Sequence, residues 1–212
     1  MARWPRQILF GDIDAMYASA AVLADPSLHG KPVAVGGPAP RGIILAASYA
    51  ARRFGVRSAM PPMHAKRLCP HLVLVAPDRA LYSRLHRQMQ AVTDRLFPIT
   101  EWTSIDEFYA DTTDLQTHQP DSERLARHVK DEIRQATGLN ATVGIATGKT
   151  VAKVAADAHK PDGVAIIPPG EEALFLAPLP VRSLPGIGPK SVEALERIGA
   201  RLIWDLLGHN FH

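Results

Sequence analysis

The stretch TSIDEFYAD, residues 103–111, sets Asp106 and Glu107 side by side in a run otherwise rich in Ile, Phe and Tyr. Successive side chains of a strand point to opposite faces. A strand through both acids would aim one of them at a core, where a lone charge is costly or is neutralised. The chain must therefore turn in water at this pair, or bring something positive to it. A second stretch poses the same problem. QILFGDID, residues 7–14, reads as a strand that becomes acidic at its end, with Asp12 and Asp14 on one face by alternation. Asp14 can alternatively cap the Ala-rich segment 15–24 that follows. Asp12 lies further back in the apolar run and has no such outlet.

Strand and helix patterns alternate along the rest of the chain. KPVAVGG and GIILAAS read as short strands around the turn-rich GGPAPRG, and SYAARRFG as a short helix stopped by Gly55. PPMHAKRLC begins with prolines suited to a first helical turn, and LVLVAP reads as a strand. Residues 78–97 carry Leu81, Leu85, Met89, Val92 and Leu96 at helical spacing. EWTSID and EFYADTT read as two strands meeting at the acid pair. Residues 121–137 form a second long helix with Leu125, Val129 and Ile133 on one face. NATVGIAT and GVAIIPP are strands on either side of the helix KTVAKVAADAHK. Beyond Pro168 the segments become short and punctuated by proline, which places a domain boundary there. This order predicts an α/β (α+β) fold with long helices packed on a mixed sheet, and a small subdomain inserted after the first strand.

With 212 residues, 46% of them hydrophobic, the chain can bury a sizeable core. Its net charge is only +3 but is unevenly spread. Residues 26–77 lack Asp and Glu, yet carry Lys31, Arg41, Arg52, Arg53, Arg57, Lys66 and Arg67. A basic region beside an acidic one suits a polyanion held next to a metal site, although a solvated basic face has the same composition. The single cysteine, Cys69, excludes a disulfide framework and a cysteine zinc site. The apolar run of MARWPRQILF is too short for a signal peptide or membrane span, so a cytoplasmic protein is expected.

If the first strand neighbours the hairpin, Asp12, Asp106 and Glu107 converge at one sheet edge. Two divalent ions would balance such a cluster, since Mg2+ takes one or two carboxylates and completes its shell with water and phosphate. Tyr49 and Arg52 lie three apart and share a face if helical, and guanidinium matches phosphate in geometry. ATGKT, residues 146–150, is not a P-loop: position 143 is Val, and Gly144 is one residue out of register. Lys149 and Lys153 lie one turn apart, and Lys160 follows before a turn, where it can meet a phosphate or the helix dipole. LPGIGPK sets Gly186 and Gly188 before a helix that carries Lys190. Its backbone N–H groups can form an anion nest, as in a helix-hairpin-helix that grips a DNA backbone. His64 and His71 flank Cys69 without zinc spacing, and Ser122 has no plausible triad partners.

Together, GDIDAMYAS, ASYAARRFGVRSAMP, SIDEFYAD, AADAHKPDG and LPGIGPK occur in an order that resembles the Y-family translesion DNA polymerases of the DinB or DNA polymerase IV type. The resemblance spans about residues 7–207. It implies that Asp12, Asp106 and Glu107, with the Ile13 carbonyl, hold two Mg2+ ions, with Mn2+ as an alternative. It implies that Tyr17 is a steric gate against the ribose 2′-hydroxyl, and that Tyr49, Arg52 and Lys160 contact the incoming dNTP. Lys153, Gly186, Gly188 and Lys190 are the expected DNA contacts. The implied parts are a palm at 1–10 and 78–167, fingers at 11–77 and a truncated thumb at 168–212. Ala21 departs from the family, which commonly has a glutamate there. The family's little finger has no counterpart before His212, which puts the grip on DNA in doubt.

The expected activity is template-directed addition of dNTPs to a primer 3′-end, with low fidelity and low processivity. The expected partners are primer-template DNA, dNTP and, through regions past the present end, a sliding clamp. The protein is expected to act as a monomer in the cytoplasm, associated with the nucleoid. Two rivals stand beside this reading. One is a catalytically silent DNA-binding relative that serves a repair complex. The other is a nucleotidyl cyclase, whose glycine-rich signature is not found here.

Overall fold

The computed structural model of the chain describes residues 3–38, 42–119 and 121–207; Arg41 and residues 208–212 lie outside them. The strands are β1 (Ile8–Ile13), β2 (Val33–Gly36), β3 (Ile44–Ala47), β4 (Val73–Val75), β5 (Thr100–Trp102), β6 (Glu107–Asp111), β7 (Ala141–Ala146) and β8 (Val164–Ile166). The α-helices are α1 (Met16–Ala24), α2 (Tyr49–Arg52), α3 (Pro62–Leu68), α4 (Arg79–Leu96), α5 (Ser122–Thr137), α6 (Lys149–Ala158), α7 (Glu172–Leu176) and α8 (Pro189–Arg197). The chain divides into two compact units. One comprises Met1–Asp12, Leu96–Asp131 and Ala141–His212, the other Ile13–Arg95 and Glu132–Asn140.

The first unit is built on a five-stranded sheet in the order β5-β6-β1-β7-β8. β1 pairs antiparallel with β6, and β6 antiparallel with β5, while β7 and β8 are parallel and joined through α6. The sheet is therefore mixed, as the pattern predicts. Every residue of β1 and β7 is buried, the mark of central strands covered on both faces. The edge strands β5 and β8 are only partly covered.

Two glycines let the layers approach closely. At Gly11 the ring of Phe108, its partner directly across the ladder, occupies the place of a side chain: a Cβ there would lie 2.4 Å from the ring. At Gly144 the backbone of α6 lies on β7, and a Cβ would come within 2.1 Å of the Ala152 carbonyl oxygen. That contact explains the glycine left over from the failed P-loop reading. It is a packing glycine, and the alanines Ala152, Ala155 and Ala156 complete the same close interface with Phe10, Ala146 and Ala165. Phe175 of α7 packs against this cluster, so chain beyond Pro168 contributes to the core of the first unit.

The second unit holds a three-stranded sheet in the order β3-β2-β4, with β2–β3 antiparallel and β2–β4 parallel. Its core gathers Ala34, Ile44, Ala47, Ala51, Val56, Ala65, Cys69 and Leu72. Cys69 is a buried free thiol that fills this core. In α4 the spaced residues Leu81, Leu85, Met89 and Val92 are buried, and Leu96 at the helix end is half-exposed. No helix among the described residues is long and apolar enough to cross a membrane.

Substituting Gly144 by Val would drive two methyl groups into the α6 backbone, which cannot move away as a flexible side chain could. The expected loss is about 3 kcal/mol or more. Urea unfolding of Gly144→Val against wild type measures it, and near-equal midpoints would contradict the close approach of helix and strand.

Candidate active site

Register alone brings two of the acids together. Asp12 near the end of β1 stands directly opposite Glu107, the first residue of β6. Facing residues of an antiparallel pair have Cβ atoms about 4.5–5.5 Å apart. Asp106 immediately precedes β6, at the end of the turn from β5. This turn is organised by Ser104, whose hydroxyl accepts the N–H groups of Asp106 at 3.3 Å and Glu107 at 3.1 Å. The same hydroxyl donates to Asp106 Oδ1 at 2.5 Å. The acid pair therefore does both things that its sequence allows: it sits at a turn, and a cation meets Glu107, as another meets Asp12 across the ladder.

Those cations are lysines. Lys153, on α6, donates to Glu107 Oε1 at 2.6 Å and stands 4.5 Å from the centre of the Phe10 ring. Lys160 pairs with Asp12 and also with Asp157 Oδ1 at 2.9 Å. The Asp12 side chain is only 6% exposed, Lys160 22%, Lys153 18% and Glu107 27%. Burial pushes the Asp12 carboxyl up to about 7 against the pull of Lys160, and the negative charges of Glu107 and Asp106 add to the rise. Burial opposes the charge on Lys160, but the pull of Asp12 and Asp157 outweighs it, and the Lys160 ammonium is held above its ordinary value. The rise at Asp12 is mainly the cost of burying its charge, with a smaller part from the neighbouring acids, and the rise at Lys160 reflects the carboxylates it meets.

A third lysine continues the series. Lys149, one turn before Lys153, pairs with Glu101 of β5. The loop that carries Lys160 is itself tied down from α5. Lys130 reaches Asp162 Oδ1 at 3.0 Å and the Gly163 carbonyl oxygen at 3.2 Å. Tyr109, two residues from Glu107 on the same strand, has its hydroxyl pushed up to about 12 by burial and by the neighbouring acids.

Among the described residues no three His, Cys, Asp or Glu side chains stand as a finished ligand cage. Lys153 and Lys160 occupy two of the carboxylates, and Asp106 is turned onto Ser104. The donor set nonetheless fits a hard divalent ion such as Mg2+. It offers carboxylate oxygens, lacks soft ligands, and already attracts two ammonium groups. Ile13 ends β1 next to Asp12 with its side chain buried.

In the second unit, α1 starts without a side-chain cap: its N-cap residue is Ala15, in the left-handed region at φ 46°. The N-cap position thus falls to Ala15, one residue after Asp14. Asp14 is buried and accepts a hydrogen bond from the Tyr49 hydroxyl at 3.3 Å. Tyr49 begins α2, which Ser48 caps by accepting the Ala51 N–H. Arg52 lies over the Tyr49 ring, 4.7 Å from its centre, and its Nε donates to the Ala47 carbonyl at 3.0 Å. The two residues thus share a face, as their spacing predicts. Tyr17 on α1 stacks on Tyr82 of α4 with ring centres 4.3 Å apart.

Near the C-terminal end of the described residues, Gly186 takes φ +86° and Gly188 is the N-cap of α8. Among the described residues, no atom outside the local chain lies within 4 Å of where a Cβ would stand at either glycine. Lys190 is exposed in the first turn of the helix. Lys153, an expected DNA contact, pairs with Glu107 in this structure. Sequence reasoning missed Ser104, Lys130, Asp157 and Tyr82. The spacing of Lys149 and Lys153 pointed to a shared face but could not name the acids they meet.

With this geometry in view, the comparisons are concordant. Residues 11–157 match the impB/mucB/samB family, and residues 169–200 the helix-hairpin-helix motif of the same family. The chain is 41% identical over 203 residues to DNA polymerase IV of Halorhodospira halophila, covering 95% of itself and 57% of that protein. It is 44% identical over 210 residues to DNA polymerase IV of Methanoculleus marisnigri, covering 97% and 58%. Among solved structures, DinB from Sulfolobus solfataricus superposes with a TM-score of 0.89 at 30% identity, over 96% of this chain and 60% of that one. An insertion ternary complex of Dbh DNA polymerase gives 0.89 at 31% identity, over 96% and 61%. The chain thus spans less than two thirds of the length of these relatives. A match that runs through both acidic strands and on into the glycine turn places the chain in the impB/mucB/samB family, that of the Y-family polymerases of DinB type.

Proposed function

We propose that this chain carries the catalytic region of a template-directed DNA polymerase of the translesion type. It would add dNTPs to a primer 3′-end and release pyrophosphate, with low fidelity and low processivity. The reading rests on one observation above all: Asp12 faces Glu107 across the β1–β6 ladder, with Asp106 next in sequence, in a chain whose relatives are named DNA polymerase IV.

Asp12, Asp106, Glu107 and the Ile13 carbonyl would hold two divalent ions, Mg2+ or Mn2+. Ions bound there would help a primer 3′-oxygen attack and offset charge on the phosphates. The remaining work falls to the chain. Lys160 would exchange a carboxylate for the triphosphate; Arg52 and the Tyr49 hydroxyl, both on one face of α2, are assigned to the same ligand by the family resemblance. Asp14 orients Tyr49 through its hydroxyl. Tyr17 would stand against the sugar, with its ring steadied by the stacked Tyr82. The Gly186–Gly188 turn with Lys190 would hold a DNA phosphate through backbone N–H groups, without reading sequence. In the vocabulary of the family we assign the palm to 1–10 and 78–167, the fingers to 11–77 and the thumb to residues from 168 onward. Primer-template DNA and dNTP are the partners; the related Dbh chain was solved as a ternary complex.

Primer extension tests this. Asp106→Ala, which removes a half-buried carboxylate outside the core, is expected to reduce Mg2+-dependent extension by at least about a thousand-fold; near-normal extension would remove the metal assignment. Tyr17→Ala is expected to admit ribonucleotides, and unchanged sugar discrimination in single-nucleotide incorporation would refute the gate.

Stability against pH supplies an independent check. The Asp12 carboxyl titrates at about 7 in the folded chain against an ordinary value of 3.8. Between those values the native state binds a proton that the unfolded state has released. This contribution is therefore full below the ordinary value and is lost as pH rises through the folded one. Urea unfolding of the metal-free chain is expected to show stability falling across that window, less steeply in Asp12→Asn. Added Mg2+ is expected to recover more at pH 8 than at pH 5. Parallel profiles for the two proteins would count against a charge-starved Asp12.

A further inference from the structure

The pair between Lys153 and Glu107 is not accounted for by the proposed chemistry. A carboxylate reserved for a metal ion gains nothing obvious from an ammonium 2.6 Å away. Yet this lysine is placed with some care. It projects from α6, the helix pressed against β7 through Gly144, and its ammonium lies near the Phe10 ring as well as Glu107. It is mostly buried and is rooted in the packed part of the sheet, unlike its neighbour Lys149.

We infer that Lys153 is a built-in counter-ion that competes with divalent cations for Glu107, so that a cation must displace it to complete the site. The inference rests on the metal reading of Asp12, Asp106 and Glu107 above. Its physical basis is simple. The first unit brings Asp12, Glu107, Asp106 and Asp157 into one cluster, in which Lys153 pairs with Glu107, and Lys160 with Asp12 and Asp157. An acid cluster left without counter-charge would repel itself and weaken the ladder that creates it. The ammonium of Lys153 meets that need and sets a threshold for cation entry. A free divalent ion alone pays to displace it. An ion that arrives with a triphosphate brings anionic oxygens to which a released ammonium can turn. Metal affinity should then be low in the resting chain and rise when nucleotide is present. Lys160 takes part in the same exchange at Asp12, but it is also an expected triphosphate contact, so Lys153 is the cleaner probe.

The test is binding of Mn2+ to the 212-residue chain, followed by the loss of the free-ion electron spin resonance signal, without DNA or nucleotide. Lys153→Met keeps the apolar stem over Phe10 and removes the charge. Lys153→Arg keeps the charge. Lys149→Met removes the same charge one turn earlier, where its partner Glu101 is outside the acid trio. Glu107→Gln reports whether the ion binds at this site at all, and circular dichroism checks that each variant is folded. The expected result is that Lys153→Met binds Mn2+ about three- to ten-fold more tightly than wild type, a range suited to a partly exposed pair. Lys153→Arg should bind like wild type, and Lys149→Met should gain clearly less than Lys153→Met. Equal gains in Lys149→Met and Lys153→Met would reduce the effect to general charge and overturn the inference. So would unchanged or weaker binding in Lys153→Met, with the metal reading intact provided Glu107→Gln still loses the ion. If no variant binds Mn2+ at a site that Glu107→Gln abolishes, the metal reading fails and takes the inference with it.

Discussion

The antiparallel ladder between β1 and β6 is the constraint on which the rest of the first unit depends. Its register sets Asp12 against Glu107, and a slip of one residue would turn one of them to the opposite face. Two neighbouring features hold that register. The Phe108 ring fills the place where Gly11 has no side chain, one step along the ladder. Phe10 lies against Tyr109 one step further, with ring centres 4.9 Å apart. The packing that locks the acids together is thus apolar and lies beside them. The repulsion it imposes is relieved by lysines brought in from α6 and from the loop after it.

Those lysines tie the chemistry to the fold in a second way. α6 can deliver Lys149 to Glu101, Lys153 to Glu107 and, just beyond its end, Lys160 to Asp12, because its backbone rests almost directly on β7. The small side chains at Gly144, Ala152 and Ala156 are what permit this. A larger residue there would lift the helix and move its ammonium groups off the acids. Buried Lys130 makes the complementary contact, holding the loop at 162–163 so that Lys160 is placed from both sides. A close-packed interface of Gly144, Ala152 and Ala156, with no polar side chain among them, therefore determines where charge sits several residues away.

Much of this was legible in advance. The period of apolar residues located α4 and α5, because helix stripes are local properties. The acid pair at 106–107 was recognisable because two carboxylates in an apolar run create a problem that few structures solve. The spacing of Tyr49 and Arg52 foretold their shared face. Other features were hidden for equally physical reasons. Ser104 looked like any turn serine until its hydroxyl was seen to gather two N–H groups and a carboxylate. Asp14 could have capped a helix as well as anchored Tyr49, since both uses need only an acid after a strand.

What the sequence by itself determined is the set of local elements, the presence of acids where strands end, and, through five ordered motifs, the family to which the chain belongs. What only the tertiary structure decided is partnership. Which strand lies beside which, which lysine meets which acid, and whether Gly144 serves a phosphate or a helix depend on contacts between residues far apart in the chain. Such contacts leave no periodic trace, because the energy that selects them comes from packing and charge shared across the sheet rather than from any one segment.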